Sequence, residues 1–372
     1  MKRNLQLDGL RGLFLVIMTI DHLQSPLAKL TYEKIGYVTA AEGFVFLSGY
    51  LAGKIYTRYL FEQQFLYILK KALNRSWEIY KYHLITLLLF FFLFIIEEDF
   101  SLYWRSILPN VANHISGSFI LSFFFFFKPD FLDILPLYCV FIMIVPFFFL
   151  FFTRKLSYEI TFLLLIVTFW FLGQVGFRNF LNEDIIGLKN IHFGNLNIYS
   201  WQLLFMFALW LGYREYKELS VIKYNHTILS FMIGIVVAFF LYKIVYKLSF
   251  TGLISFNVSD LPYTGKENLE VLRIVNFFAL TYVVSYILGR YSWLFKGRLL
   301  VLLGQNSLQV YTFHLCTLLV YLPFQSRVSS MGPAIDILIT FILIASLYIP
   351  AFWNIRRNKK KADYPHSRNV SA

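Results

Sequence analysis

The stretch LDGLRGLFLVIMTIDHL, residues 7–23, decides how this chain folds. Its middle is a continuous apolar run of the kind that crosses a bilayer, yet it carries Asp8, Arg11, Asp21 and His22. Centring a charge in hydrocarbon costs about 2.5–3.5 kcal/mol on insertion scales, so ionisable groups in such a span face protein or a water-filled cavity and usually carry function. From Arg11 to His22, steps of about 100° return to within about 20° of the starting direction. Both residues therefore share one helix face, separated by about 16 Å along the axis. Asp8 is spaced to pair with Arg11. Asp21 points about 100° away from His22 and is placed to serve a neighbouring helix.

Beyond this stretch, the 372-residue chain is 58% hydrophobic, against roughly 45–50% in soluble domains. Apolar runs of close to 20 residues recur along it, and at that length only helices satisfy their own backbone polar groups, which excludes a β-barrel. The reading is all-α: a polytopic membrane helix bundle of about ten transmembrane helices. Spans are expected near residues 9–26, 37–53, 82–96, 134–153, 159–174, 198–213, 227–246, 270–289, 299–323 and 333–353. Residues 1–355 form one membrane domain in this reading, and 356–372 a basic cytoplasmic tail. The start MKRN precedes an apolar run, as in a signal peptide, but Asp8 and Arg11 interrupt that run, so an uncleaved first span is expected. Most of the 34 Lys and Arg residues fall on the side of the termini, with Lys128 and Lys243 among the few on the other. The positive-inside rule then places both termini in the cytoplasm. It also explains the net charge of +13 without nucleic acid as a partner. Within the long connection 97–133, GSFILSFFFFFK is too short to span and predicts a re-entrant or surface-lying segment. Cys139 and Cys316 lie in apolar runs and indicate no disulfide framework.

Three groups are expected in the outer half of the membrane: His22, Glu42 in AAEGFVFLSGYLAGK and His314 in LGQNSLQVYTFHL. Ser48 lies nearer the middle of its span, and Gly49 and Gly53 have the spacing that permits close helix packing. Two histidines and a glutamate can bind a metal, but these come from three spans with no HxxxH or HExxH spacing, so no metal is expected. On the side of the termini, KKALNRSWEIYKYHL supplies Lys70, Lys71, Arg75 and His83. These serve topology alone or dock a phosphate-bearing ligand through charge-assisted hydrogen bonds. Arg273 lies near the outer end of its span, either paired with an acid or available to a carboxylate on a substrate.

LDGLRG with a histidine in R-x10-H spacing, then EGFVFLSGYLAG, ALNRSWEIYKYHL, LDILPLY, WQLLFMFALWLG, LRIVNFFAL and LGQNSLQVYTFHL, follow in order. Together these segments resemble the OpgC branch of the acyltransferase family 3 membrane proteins, from about residue 7 to 320. The resemblance implies a roughly ten-helix acyltransferase of the bacterial inner membrane. It would pass a succinyl or acetyl group from cytoplasmic acyl-CoA, the donor substrate, to a hydroxyl of a periplasmic or cell-envelope glycan. It also implies that His22 is catalytic and Arg11 essential. Asp21 and Glu42 join them in the expected catalytic set, Arg11 with Lys70, Lys71, Arg75 and His83 in the acyl-CoA set, and Ser48, Asp133, Arg273 and His314 around the acceptor cavity. A transporter or flippase for a glycan or lipid-linked substrate is the competing class. It lacks here the paired Gly/Pro-broken helices that mark repeat-built transporters.

Overall fold

The computed structural model describes residues 3–108, 114–152, 156–187, 191–219, 224–253 and 257–363, and all regular structure among them is helical. In chain order the principal helices are α1 (Leu5–His22), α2 (Ala28–Thr31), α3 (Ala40–Glu62), α4 (Phe65–Ile96), α5 (Glu98–Ile107), α6 (Ile115–Phe123), α7 (Ile134–Phe152) and α8 (Leu156–Gln174). They continue with α9 (Ile198–Tyr216), α10 (His226–Phe250), α11 (Val271–Arg290), α12 (Arg298–Gln305), α13 (Ser307–Tyr321), α14 (Pro333–Ser346) and α15 (Tyr348–Asp363). The chain is a polytopic helical membrane protein. Among the described residues six helical stretches are long and apolar enough to cross a bilayer: Phe65–Ile96, Ser157–Gln174, His226–Phe250, Val271–Arg290, Ser307–Ser330 and Pro333–Arg357. The other positions expected to span are helical as well, but α1, α3 and α9 carry charged groups that dilute their apolar character. The contrast is physical. Only 6% of the residues in the most apolar stretch of α10 are buried by protein, as suits a lipid-facing helix, whereas α9 buries Trp201, Leu204, Phe205, Met206 and Leu209 almost completely.

The chain divides into two compact units, Met1–Thr31 with Tyr291–Ala372, and Tyr32–Arg290. In the first, α1 starts at Asn4, whose side chain accepts the N–H groups of Gln6 and Leu7 and so satisfies two orphan donors of the first turn. The glycines of LDGLRG allow close approach: a Cβ at Gly9 would sit 1.6 Å from the Phe295 carbonyl oxygen, and one at Gly12 would sit 2.0 Å from that of Leu300. Asn306 interrupts the helix between α12 and α13, and its side-chain carbonyl accepts Asn354 Nδ2 at 2.7 Å. The break before α15 follows from Pro350, which has no N–H to offer the Ser346 carbonyl one turn back.

In the second unit, Gly49 and Gly53 of α3 lie against the Phe205 and Leu209 carbonyls of α9, the packing role their spacing predicts. Helix α4 runs without interruption for 32 residues, about 48 Å at 1.5 Å per residue. That exceeds a hydrocarbon core of about 30 Å, so KKALNRSWEIYKYHL is the helical forepart of a long span and not a loop before a short one. The GSFILSF segment forms α6, a short helix held against α4 by the Phe91–Phe119 ring contact, with centroids 5.1 Å apart.

Candidate active site

In the first unit, α1 and α13 meet along a polar seam. At one end Arg11 donates from Nη2 to Ser307 Oγ at 2.6 Å. At the other, His22 Nδ1 and His314 Nε2 are 3.0 Å apart and the rings stack with centroids at 5.3 Å. Ser307 and His314 also share a helix face, since seven steps of about 100° fall about 20° short of two turns. The contacts run in the same order along both helices, so α1 and α13 are parallel here. His314 is only 2% exposed and lies behind His22, which is partly exposed. Thr19, one turn before His22, donates its hydroxyl to the Leu15 carbonyl at 2.8 Å and lies 3.2 Å from His314 Nδ1. The acids flanking this face are engaged elsewhere: Asp8 pairs with Arg3 at 2.6 Å and not with Arg11 as its spacing suggests, and Asp21 accepts the Thr31 hydroxyl of α2 at 2.5 Å.

Glu42 belongs to the second unit, and its partners there are of another kind. Its Oε2 accepts the Thr39 N–H at 3.0 Å and the Thr39 hydroxyl, closing the N-terminus of α3, while its Oε1 accepts Arg273 Nη1 at 2.5 Å. Arg273 reaches Glu33 through Nη2, also at 2.5 Å. Lys243 adds a third link, 3.1 Å from Glu33 and 3.5 Å from Asp260, with its ammonium 3.9 Å from the centre of the Tyr37 ring. Lys243 is therefore a buried residue of α10. Of the two uses open to Arg273, geometry shows the acid pair.

The remaining candidates separate by environment. Lys70, Lys71 and Arg75 are exposed on the forepart of α4, Arg75 bridged to Glu78 at 2.6 Å. His83 is not with them: it is 1% exposed, packed among Tyr80 and Phe125. Ser48 is half-buried on α3. Asp133, at the start of α7, is buried and accepts the Asn195 N–H at 3.0 Å through Oδ2, while its Oδ1 has no hydrogen-bond partner among the described residues. Burial raises its carboxyl to about 6 despite the opposing charge of Lys128. Lys128, itself buried and donating to the Phe193 carbonyl at 3.2 Å, is pushed below the usual lysine range. Among the described residues no three His, Cys, Asp or Glu side chains gather to hold a metal ion.

A comparison with known families supplies the context for these groups. The sequence profile described as OpgC protein matches residues 3–359. The chain belongs to the OpgC family. That membership makes it a membrane acyl-modifying enzyme in general. No curated protein and no solved structure matches it. For an OpgC-family chain, the histidine pair is the arrangement with evident acid–base capacity. Thr19 and Ser307 were not among the residues singled out by spacing, although Thr19 stands three before His22 and Ser307 seven before His314 on the same faces. Glu33, Lys243 and Asp260 were also missed, because a loop acid and a mid-helix lysine have no periodic signal that joins them.

Proposed function

We propose that this chain transfers an acyl group, succinyl or acetyl, from cytoplasmic acyl-CoA to a hydroxyl of a periplasmic or cell-envelope glycan. The setting is the bacterial inner membrane with both termini cytoplasmic. The observation that carries this reading is the partly exposed His22 backed by the buried His314 at 3.0 Å, in a chain of the OpgC family. His22 accepts the proton of the attacking sugar hydroxyl as its oxygen adds to the thioester carbonyl. The tetrahedral centre then expels the thiolate as the C–S bond breaks, and the imidazolium returns its proton to the departing sulfur. General base catalysis of this kind contributes about 10²–10⁴ in rate. Arg11, on the same face as His22, supplies a fixed planar cation for phosphate or carboxylate on the donor. The exposed Lys70, Lys71 and Arg75 attract the donor's phosphates.

The test uses the purified full chain in proteoliposomes, with labelled acyl-CoA, an envelope glycan extract and no ion gradient. Transfer of label to glycan is expected from the wild type, which a transporter would not give. His22→Ala should lose at least about 10² of that rate at an unchanged melting temperature. Wild-type transfer by this variant would remove the central role of His22. Mass spectrometry of the glycans identifies the acyl group.

A further inference from the structure

The three hydrogen bonds around His314 have a fixed sense, and it propagates to His22. The Leu15 carbonyl can only accept, so the Thr19 hydroxyl hydrogen, at 2.8 Å, is committed to it, in the back-bond to residue i−4 that helical Thr commonly makes. Thr19 Oγ1 is then an acceptor toward His314 Nδ1 at 3.2 Å, which must carry the hydrogen. A neutral imidazole has one protonated and one basic nitrogen. His314 Nε2 is therefore basic, and the 3.0 Å contact is completed by a hydrogen on His22 Nδ1. By the same rule, His22 Nε2 is the basic atom of its ring.

We infer that Thr19 and His314 are positioning residues forming a relay, Leu15 C=O to Thr19 to His314 to His22, that sets the tautomer of His22 and makes Nε2 the general base. The inference rests on the acyltransferase reading for its use, but the tautomers stand on geometry alone. His314 does for His22 what a buried carboxylate does for the base of a hydrolase triad: it holds the ring in one orientation and accepts from Nδ1–H. It differs in being neutral. When His22 Nε2 takes the hydroxyl proton, the imidazolium charge strengthens its Nδ1–H bond to His314, and the proton returns from the same Nε2 to the thiolate. His314 itself need never exchange a proton. The ring pair also explains why a second histidine stands at a position only 2% exposed, out of reach of a large polar acceptor.

The chain allows a direct reading of both rings, because Asp precedes a histidine only at His22, and Phe precedes one only at His314. Full-length protein in lipid bilayers, labelled with 13C,15N-histidine and with carbonyl-13C aspartate and phenylalanine, gives assigned side-chain nitrogen resonances in solid-state NMR at pH 8. Both rings are expected to be protonated at Nδ1 and unprotonated at Nε2. A hydrogen on Nε2 of His22 overturns the relay. In the kinetic arm, His314→Gln keeps an amide oxygen able to accept from His22 Nδ1 and should retain transfer within about tenfold. His314→Leu should lose about 10²-fold or more in kcat, with KM for acyl-CoA unchanged. Thr19→Ser should match wild type, and Thr19→Val should lower kcat about tenfold, because the missing oxygen frees His314 to take the other tautomer. Equal losses in the Gln and Leu variants, or a raised KM in place of a lowered kcat, would reduce His314 to packing. A wild type with the stated tautomers and no acyl transfer would leave the relay standing while sinking the activity it is meant to serve.

Discussion

The histidine pair on α1 and α13 and the ion network on α3, α10 and α11 are both polar clusters in an apolar chain, but they are built on opposite rules. In the network, every cation faces an acid: Arg273 is forked between Glu33 and Glu42, and Lys243 bridges Glu33 and Asp260 while resting on the Tyr37 ring. Charge is matched by charge, and Tyr37 is further tied to Asp260 by its hydroxyl at 2.5 Å. The histidine pair is joined instead by directional hydrogen bonds among imidazole, hydroxyl and carbonyl groups, ending on one backbone carbonyl. Burial of an ionisable group therefore does not mark a catalytic site by itself. The partner decides: a group locked to opposite charge resists a change of protonation, whereas an imidazole held by hydrogen bonds can gain and lose a proton.

The largest effect that probes this contrast is expected in the network. Arg273→Met removes the cation between two acids and leaves Glu42, which is fully buried, without its charge partner. Breaking a buried pair in this way costs about 3–5 kcal/mol. The expected result is a large drop in melting temperature in detergent, with the folded fraction keeping its transfer rate. A stable Arg273→Met protein that had lost transfer would move Arg273 from the structural side of the comparison to the acceptor side, the other use its position left open.

Asp133 sharpens the comparison because it has features of both regions. Its carboxyl is raised to about 6 from an ordinary 3.8. A raised acid stabilises the fold below its unfolded value, and that contribution is lost as pH rises through the folded value. The window is therefore about pH 4 to 6, worth about 3 kcal/mol by linkage. Asp133→Asn keeps an acceptor for the Asn195 N–H and removes the buried charge. Its melting temperature should exceed wild type at pH 7.5 and should lose the wild-type rise on going from pH 6 to 4. A loss of transfer with no change in that pH profile would place Asp133 at the acceptor.

Much of this was legible in the sequence, for identifiable reasons. Helix positions follow from apolar run length, and the shared face of Arg11 and His22 follows from an uninterrupted α1. The partner of each residue was harder. Nothing in the spacing of α1 tells which turn of α13 lies beside it; that register depends on the close approach of Gly9 and Gly12 to the segment before and within α12. For the same reason Asp8 was matched to Arg11 by helical spacing, while the structure gives it Arg3, a residue before the helix begins. His83 was grouped with Lys70, Lys71 and Arg75 because all four fall in one basic stretch, whereas α4 carries it eight residues, about 12 Å, beyond Arg75 to a buried position. Thr19 was invisible because a threonine in a span is ordinary until a histidine from another helix stands beside it.

Arg11 offers a smaller test of the histidine side. It donates to Ser307 at 2.6 Å and lies one face-repeat before His22. Lysine retains the charge but not the planar fork. Arg11→Lys should keep the membrane orientation and lower kcat/KM for acyl-CoA about tenfold, equivalent to about 1.4 kcal/mol. A residue that only snorkels to the headgroups would tolerate the change in full. Measuring transfer together with accessibility of a terminal tag separates the two outcomes.

The smallest effect concerns the forepart of α4, where Lys70, Lys71 and Arg75 are exposed and so contribute little to stability. Changing all three to Gln should leave the melting temperature within about 1 °C, since Arg75 and Glu78 form only an exposed pair separated by three residues. In the proposed function they act on the donor through exposed charge, which salt screens. At low salt KM for acyl-CoA should rise about threefold to tenfold, and the difference should disappear near 0.5 M salt, where screening sets in within about 4 Å. Because the charges lie at the end of a span, the same variant must be checked for topology. A KM unchanged at every salt concentration would assign these three residues to membrane orientation alone, leaving the histidine pair and Arg11 to account for the chemistry without them.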